Sequence, residues 1–235
     1  MKLTEAATRV GGTVTKDGHI VVRDVTFALV PGGDVTLGWD GARTTLDDER
    51  RAAWGTNAAP DETFEGMLRA YLGPRRILTT APFLIETTTQ PVSDYMRVNG
   101  DDLEAHVRSV ISSDGWRLPT NDEWEVAARA GNDALFAWGD EWPDGAPTHT
   151  ATRWTKHQAP NPLGIIYGDD PYKSEIVDEI EWLRHGDGGT AICGARPDPE
   201  AWYSFAHPFQ CPRFLWENVV VETYEDARAR RALTL

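Results

Sequence analysis

Residues 115–131 read GWRLPTNDEWEVAARAG and contain the clearest local structural signals in the chain. Thr120 is a suitable helix N-cap, and Glu123, three residues later, can complete a capping box with it. One face of the predicted helix is formed by residues at the i, i+3 and i+4 spacing, namely Trp124, Ala127 and Ala128. Small alanines beside a large tryptophan allow another layer of secondary structure to pack closely against this helix face. The sequence therefore predicts a central helix that starts after Thr120 and ends at a left-handed Gly131.

The same region resembles a known protein family. The run from Trp116 to Gly131, followed by Phe136-Ala137-Trp138-Gly139-Asp140-Glu141, is similar to the signature of the formylglycine-generating enzyme (sulfatase-modifying factor) family. Residues 159–166, APNPLGII, resemble a further Pro-Asn segment of that family. The resemblance implies an α+β, C-type-lectin-like fold with short strands, a few helices and long ordered loops.

Composition is consistent with one loop-rich domain over residues 1–235. The chain is 40% hydrophobic and contains 21 Gly, 15 Pro and 10 Trp. Its net charge of −14 argues against nucleic acid and against an anionic membrane surface, because both partners require clustered Lys and Arg. No apolar stretch reaches membrane-spanning length. Two cysteines provide no disulfide framework, so we expect a reducing, cytoplasmic location.

Both ends of the chain carry local patterns. Alternation around Asp17-Gly18 predicts an N-terminal hairpin within about residues 1–24, and Pro31-Gly32-Gly33 predicts a second strand–turn–strand over 25–38. The C-terminal segment, about residues 224–235, is locally basic. It resembles a short helix or a docking tail that could pair with an acidic surface of a partner or of the same chain.

Three further helices are predicted between these ends. Phe64, Met67, Leu68 and Tyr71 share one face of a helix that Asp61-Glu62 would cap. Ser93 is a suitable N-cap for the next helix, and a third helix is predicted over residues 101–111.

The strongest catalytic candidate is Cys193. Residues 188–193, GGTAIC, resemble the family segment Gly-Gly-Ser-x-x-Cys, whose cysteine is one of two thiolates that hold copper(I) and activate oxygen. The family places the second thiolate five residues later, where this chain has Asp198, a hard oxygen ligand poorly suited to copper(I). A copper site would therefore require Cys211 to lie beside Cys193, with His207 as a further ligand.

Two other metals fit the residue types less directly. Non-haem iron would need two histidines and a carboxylate to meet through the fold, because the histidines are scattered as His149, His157, His185 and His207. Calcium is an accessory ion of the family, and hard oxygens occur at Asp169, Asp170, Glu175, Asp178 and Glu179. The alternative for this acidic run is a solvated loop.

Two main functional hypotheses follow. In the first, loss of the second thiolate leaves a non-catalytic module that binds a protein, peptide or small molecule, with aromatic anchors at Trp138, Trp142, Trp154, Trp202 and Tyr203. In the second, the chain is a metal- and oxygen-dependent oxidase that acts on a thiol or peptide through Cys193. A third option, suggested by the basic tail, is a structural subunit of a larger assembly. The sequence favours the first hypothesis.

Overall fold

The computed structural model describes most of the chain. The described residues are 1–41, 47–57, 63–92, 103–143, 155–167, 170, 172–179, 182–186, 201–212 and 227–235. Within them the architecture is mixed α+β, with few helices and mainly antiparallel sheets. No helix in these ranges is long and apolar enough to cross a membrane.

The helices and strands alternate irregularly along the chain. The helices are α1 Leu3–Val10, α2 Asp48–Asn57, α3 Phe64–Tyr71, α4 Leu103–Ser113 and α5 Asn121–Arg129. The strands are β1 Thr13–Val14, β2 Ile20–Val22, β3 Val25–Val30, β4 Gly33–Leu37, β5 Arg76–Thr80, β6 Phe83–Glu86, β7 Gln90–Pro91, β8 Glu175–Ile176, β9 Trp182–Arg184, β10 Cys211–Pro212, β11 Arg228–Ala229 and β12 Ala232–Thr234. Two 3-10 helices cover Lys156–Gln158 and Tyr203–Phe205.

The first sheet has the order β1-β2-β3-β6-β12 and is antiparallel throughout. Its central strands are buried on both faces. Phe27 and Leu84 pack with α1 on one face, whereas Val30, Phe83 and the neighbouring strand residues pack with α5 on the other. Alternating side chains thus place this sheet between two helical layers.

Two smaller sheets complete the frame. The order β10-β9-β8-β11-β7 forms a second sheet, in which only the β8–β11 pair is parallel among the described strands. Strands β4 and β5 form a separate two-stranded ribbon, with Thr36 opposite Ile77.

The central helix α5 follows the sequence prediction closely. Thr120 Oγ1 accepts the Glu123 N–H at 3.1 Å, and Glu123 Oε2 accepts the Thr120 N–H at 2.9 Å. Every residue from Trp124 to Arg129 is buried, so the helix is enclosed rather than half-exposed. Its left-handed cap is Ala130, with φ of 49°, one residue earlier than predicted.

The other predicted helices are partly within the described ranges. α3 has the predicted apolar face, and its observed N-cap is Thr63, whose hydroxyl accepts the Gly66 N–H at 3.0 Å. α4, Leu103–Ser113, covers the described part of the predicted 101–111 helix and ends two residues beyond it. Asp61-Glu62 and the helix predicted from Ser93 fall outside the described residues.

The N-terminal region contains more helix than the sequence suggested. β1 and β2 pair around the Asp17-Gly18 turn, but residues 3–10 form α1, which the hairpin interpretation missed. β3 and β4 do not form a hairpin with each other, because Pro31-Gly32 carries the chain from the first sheet to the ribbon. A Cβ at Gly32 would lie 2.7 Å from Pro82 and from the Thr80 carbonyl oxygen, so this crossing requires glycine.

The expectation of a basic helix or projecting tail is wrong for residues 227–235. β12 pairs with β6 in the first sheet, and β11 lies between β8 and β7 in the second. Arg230 is fully buried against Glu175, and Arg231 contacts Glu86 at 2.7 Å. The positive charge is therefore neutralised by carboxylates of the same chain, one of the two pairings considered from the sequence.

Candidate functional site

The segment that carries Cys193 and Asp198 lies outside the described residues, as does Trp154. The residues that flank this segment come together, however. The rings of His185 and Phe205 lie 4.8 Å apart between centroids. Gly186 has φ of 70°, and a Cβ there would come within 2.3 Å of the Lys173 carbonyl oxygen. The chain on either side of residues 187–200 thus meets at one place in the fold.

Most of the expected aromatic anchors are core residues. Trp142, Trp202 and Tyr203 are 5%, 0% and 6% exposed and belong to one large aromatic cluster. Trp138 is half-buried and stacks on Phe136 with centroids 4.7 Å apart. Because rings packed on all sides present no free face, we remove the three buried residues from the candidate ligand surface.

Cys211 and His207 are both buried near this cluster. Cys211 is 4% exposed and lies in β10 opposite Leu183 of β9. The His207 Nδ1–H donates to the Ala134 carbonyl oxygen at 3.1 Å, since a carbonyl can only accept. Burial, reinforced by the charge of Arg129, lowers the pKa of His207 to about 4. His207 is consequently neutral at pH 7, with a lone pair on Nε2.

A small cavity lies beside His207, and we call it the histidine pocket. Its volume is about 10 Å³, which is room for one water molecule. The main lining side chains are His157, His185, His207, Tyr167, Trp124 and Phe205. Burial raises the pKa of Tyr167, so its hydroxyl remains a donor. Neither this hydroxyl nor His207 Nε2 has a hydrogen-bond partner within the part of the chain that the structure describes.

A much larger and more open cavity lies between β4 and the end of α5. This β4–α5 groove has a volume of about 280 Å³. Its apolar floor consists of Val30, Pro31, Val35, Leu37, Val126 and Leu163. Its polar rim consists of Asp34, Thr36, Arg129, Asn132 and Asp133. An apolar floor with a few polar groups at its edge is the usual construction of a ligand-binding cleft.

Another cavity, of about 400 Å³, adjoins the β4–α5 groove, and Leu163 lines both. It is lined by α1, the β1–β2 turn and residues 161–164, including Asp17 and His19. His19 Nε2 lies 3.1 Å from the Leu163 carbonyl oxygen, and a Cβ at Gly164 would overlap the His19 ring at 2.3 Å. The turn that separates the two cavities is thus held firmly against the first hairpin.

Comparison with known proteins finds a family similarity over part of the chain. Residues 86–167 match the family model of the sulfatase-modifying factor enzyme 1-like domain. The match covers 82 of the 235 residues, and over this segment the chain is similar to that family. The matched segment runs from the end of β6 through α5 to Tyr167, and stops before His185 and Cys193. A search of curated proteins found no significant match.

The copper chemistry of the formylglycine-generating enzyme family requires two converging soft donors. Cys211 is the one cysteine among the described residues, and no three His, Cys, Asp or Glu side chains converge as a metal site within these ranges. Cys211 is instead held by the β9–β10 ladder. Two histidines and a carboxylate, the arrangement that binds non-haem iron, also do not converge within the described residues.

The carboxylates considered for calcium are used within the domain. Asp170 contacts Lys173 at 3.1 Å, and Asp178 contacts Arg108. Glu179 Oε2 accepts the Asn121 N–H at 2.5 Å. These acids therefore stabilise local structure, while Asp169 lies outside the described residues.

Sequence analysis missed the buried charge at Glu125. This carboxylate is 0% exposed and accepts the Gly38 N–H at 2.6 Å. It also contacts Arg129 at 2.9 Å and Arg184 at 3.5 Å. Burial alone would raise the pKa of Glu125, but the two arginines and the Gly38 N–H outweigh it and lower the pKa. The i, i+4 spacing of Glu125 and Arg129 was the available signal.

Proposed function

We propose that this chain is a non-catalytic, formylglycine-generating-enzyme-like binding module with the C-type-lectin-like fold of that family. We further propose that its ligand is a peptide segment of a partner protein, held in the β4–α5 groove. The observation that carries the proposal is the groove itself, which combines an apolar floor with a polar rim. Open clefts built on a rigid frame are well suited to binding.

The position of the groove supports this proposal. Its floor includes Val126 of the enclosed helix α5 and Leu37 at the end of β4. Glu125 and Arg129 connect α5 to the backbone of Gly38, directly after β4. The two walls are therefore fixed relative to each other before any ligand arrives, which reduces the ordering cost of binding.

The thiol positions support a non-catalytic role. Asp198 stands five residues after Cys193, where the family has its second thiolate. Cys211, the one other cysteine, is buried in a strand whose ladder with β9 fixes its position. Moving it towards a shared metal would disrupt that ladder and the aromatic cluster around it.

The binding proposal is tested with an array of short, acetylated and amidated peptides. Peptides that bind the wild type are then measured by calorimetry against Val35→Trp, which adds a large ring on the face of β4 that forms the groove floor. Val14→Trp, on the exposed strand β1, is the matched control. We expect Val35→Trp to weaken binding at least about 10-fold while Val14→Trp does not. Equal binding by both variants, with both folded by circular dichroism, would refute a ligand in the groove.

The competing oxidase function is tested separately. Copper(I) is titrated into the wild type and into Cys193→Ser, and oxygen consumption is followed in the presence of a cysteine-containing peptide. The proposal expects weak copper(I) binding that does not depend on Cys193, and no peptide-dependent oxygen uptake. Stoichiometric, Cys193-dependent binding with oxygen uptake would show that the chain is an oxidase.

A further inference from the structure

We propose that the histidine pocket binds one resident water molecule, which joins the Tyr167 hydroxyl to His207 Nε2. Both side chains line the pocket and are more than nine-tenths buried, at 8% and 3% exposed. Neither of the two polar atoms has a hydrogen-bond partner among the described residues. Leaving a buried polar atom without a partner is costly, so the pocket favours a ligand that satisfies both atoms at once.

The two atoms have complementary hydrogen-bonding roles. His207 Nδ1–H donates to the Ala134 carbonyl oxygen at 3.1 Å, which fixes the tautomer and leaves Nε2 as an acceptor. The Tyr167 hydroxyl is a donor. The ligand must therefore accept from Tyr167 and donate to His207, and a water molecule does both.

The size of the pocket also fits water. Its volume of about 10 Å³ is room for one such molecule. Its walls are closely packed rings: the Trp124 and Tyr167 centroids lie 4.8 Å apart, and the His185 and Phe205 centroids also lie 4.8 Å apart. Because tightly packed cores resist expansion, a larger ligand would require these rings to repack.

The charges around the pocket favour a neutral ligand over an ion. The nearest buried charges are already paired, Arg230 with Glu175 at 2.6 Å and Arg129 with Glu125 at 2.9 Å. An ion that entered this aromatic pocket would meet charges that already balance each other, and burying an unpaired charge is costly. Nor do three His, Cys, Asp or Glu side chains converge on a metal site within the described ranges.

The bound water would join two loops that are distant in sequence. Tyr167 ends the described segment 155–167, and His207 follows the 3-10 helix Tyr203–Phe205. A water molecule that bonds to both side chains acts almost as a direct hydrogen bond between these loops. The histidine pocket and the β4–α5 groove share no lining residue, so this inference is independent of the proposed function.

The experiment counts long-lived internal water molecules by oxygen-17 magnetic relaxation dispersion. Tyr167→Phe removes the donor, and His207→Asn removes Nε2 while keeping an amide N–H that can donate to Ala134. Tyr71→Phe removes the hydroxyl of a half-buried tyrosine outside the pocket and is the matched control. We expect each pocket variant to hold one long-lived water molecule fewer than the wild type and Tyr71→Phe to hold the same number, because a buried water needs at least two polar partners.

A second measurement uses the wild type alone, so it does not depend on the folding of any variant. We expect nuclear Overhauser effects between water and both the Tyr167 ring protons and His207 Hε1. The absence of these effects, or an unchanged water count in both folded pocket variants, would overturn the inference. One equivalent of metal in the purified wild type that is lost in His207→Asn, measured by elemental mass spectrometry, would also overturn it, because the ligand would then be an ion.

Discussion

Replacing Arg230 with methionine should be one of the most damaging single changes in this domain. Arg230 is 0% exposed and donates from Nε and Nη2 to Glu175 at 2.7 and 2.6 Å. Its Nη1 donates to the Glu86 carbonyl oxygen at 2.9 Å. Burial alone would lower the pKa of Arg230, but Glu175 outweighs it and raises the pKa. The variant would leave the Glu175 charge buried with the Trp124 Nε1–H as its remaining donor among the described residues. Stranding one partner of a buried pair costs about 3–5 kcal/mol.

The assay is equilibrium urea unfolding followed by tryptophan fluorescence. Wild type, Arg230→Met, Glu175→Gln and the double variant form a double-mutant cycle. We expect the double variant to lose clearly less stability than the sum of the single variants, because Glu175→Gln removes the stranded charge. The control is Arg9→Met, which breaks an exposed helical pair with Glu5 and should cost at most about 0.5 kcal/mol.

Destabilisation by less than about 1 kcal/mol in Arg230→Met, or an additive cycle, would contradict this prediction. Either result would mean that residues 227–235 are not anchored through this ion pair.

Three further predictions concern a buried histidine, a helix cap and an edge strand. Folding lowers the pKa of His207 from 6.5 to about 4, so the unfolded chain binds more protons than the folded chain between these pH values. The neutral, buried His207 therefore contributes about 3 kcal/mol of stability, which is fully present above pH 6.5 and is lost as the pH falls towards 4. His207→Gln should flatten the dependence of the urea unfolding midpoint on pH across this range. Thr120→Ala removes the capping box of α5 and should lower the free energy of unfolding by about 1 kcal/mol, whereas the exposed Thr8→Ala should change it little; equal effects would contradict the cap. Deleting residues 232–235 should leave β6 with an open edge and give a chain that lacks the cooperative thermal transition of the wild type; a truncated chain with an unchanged melting temperature would refute this role for β12.

Local rules were sufficient where the stabilising contacts are local. The α5 cap depends on Thr120 and Glu123, which are three residues apart, and the helical face repeats within one or two turns. The sequence could therefore place this helix to within one residue of its observed end. The Pro31-Gly32 turn was equally visible, but a turn signal does not specify which sheet the next strand joins. β4 was thus predicted as a strand, but its pairing with β5 was not.

Long-range pairing explains the main fold error. Arg230 and its carboxylate partner are 55 positions apart, and Arg231 is 145 positions from Glu86. Without knowledge of these partners, clustered arginines indicate an exposed basic surface. The same argument accounts for Glu125, whose i+4 partner was visible although the distant Arg184 was not.

The candidate site was less predictable than the fold. Trp142 and Trp202 were predicted as ligand anchors and lie in the core, because residue type alone does not distinguish a core ring from a ligand anchor. The β4–α5 groove combines β4, the end of α5 and Leu163, which are far apart in sequence. No single motif marks it, so only the folded arrangement could reveal it.

The placement of β12 has a consequence for how the domain is made. Its Ala232 exchanges backbone hydrogen bonds with Arg117, at 2.7 and 3.1 Å, in addition to pairing with β6. A nascent chain emerging from the ribosome therefore exposes the β6 edge until residues 232–234 have left the exit tunnel. Chaperone capture of that edge, measured on stalled chains of increasing length with a C-terminal extension that fills the tunnel, should end abruptly once β12 has emerged.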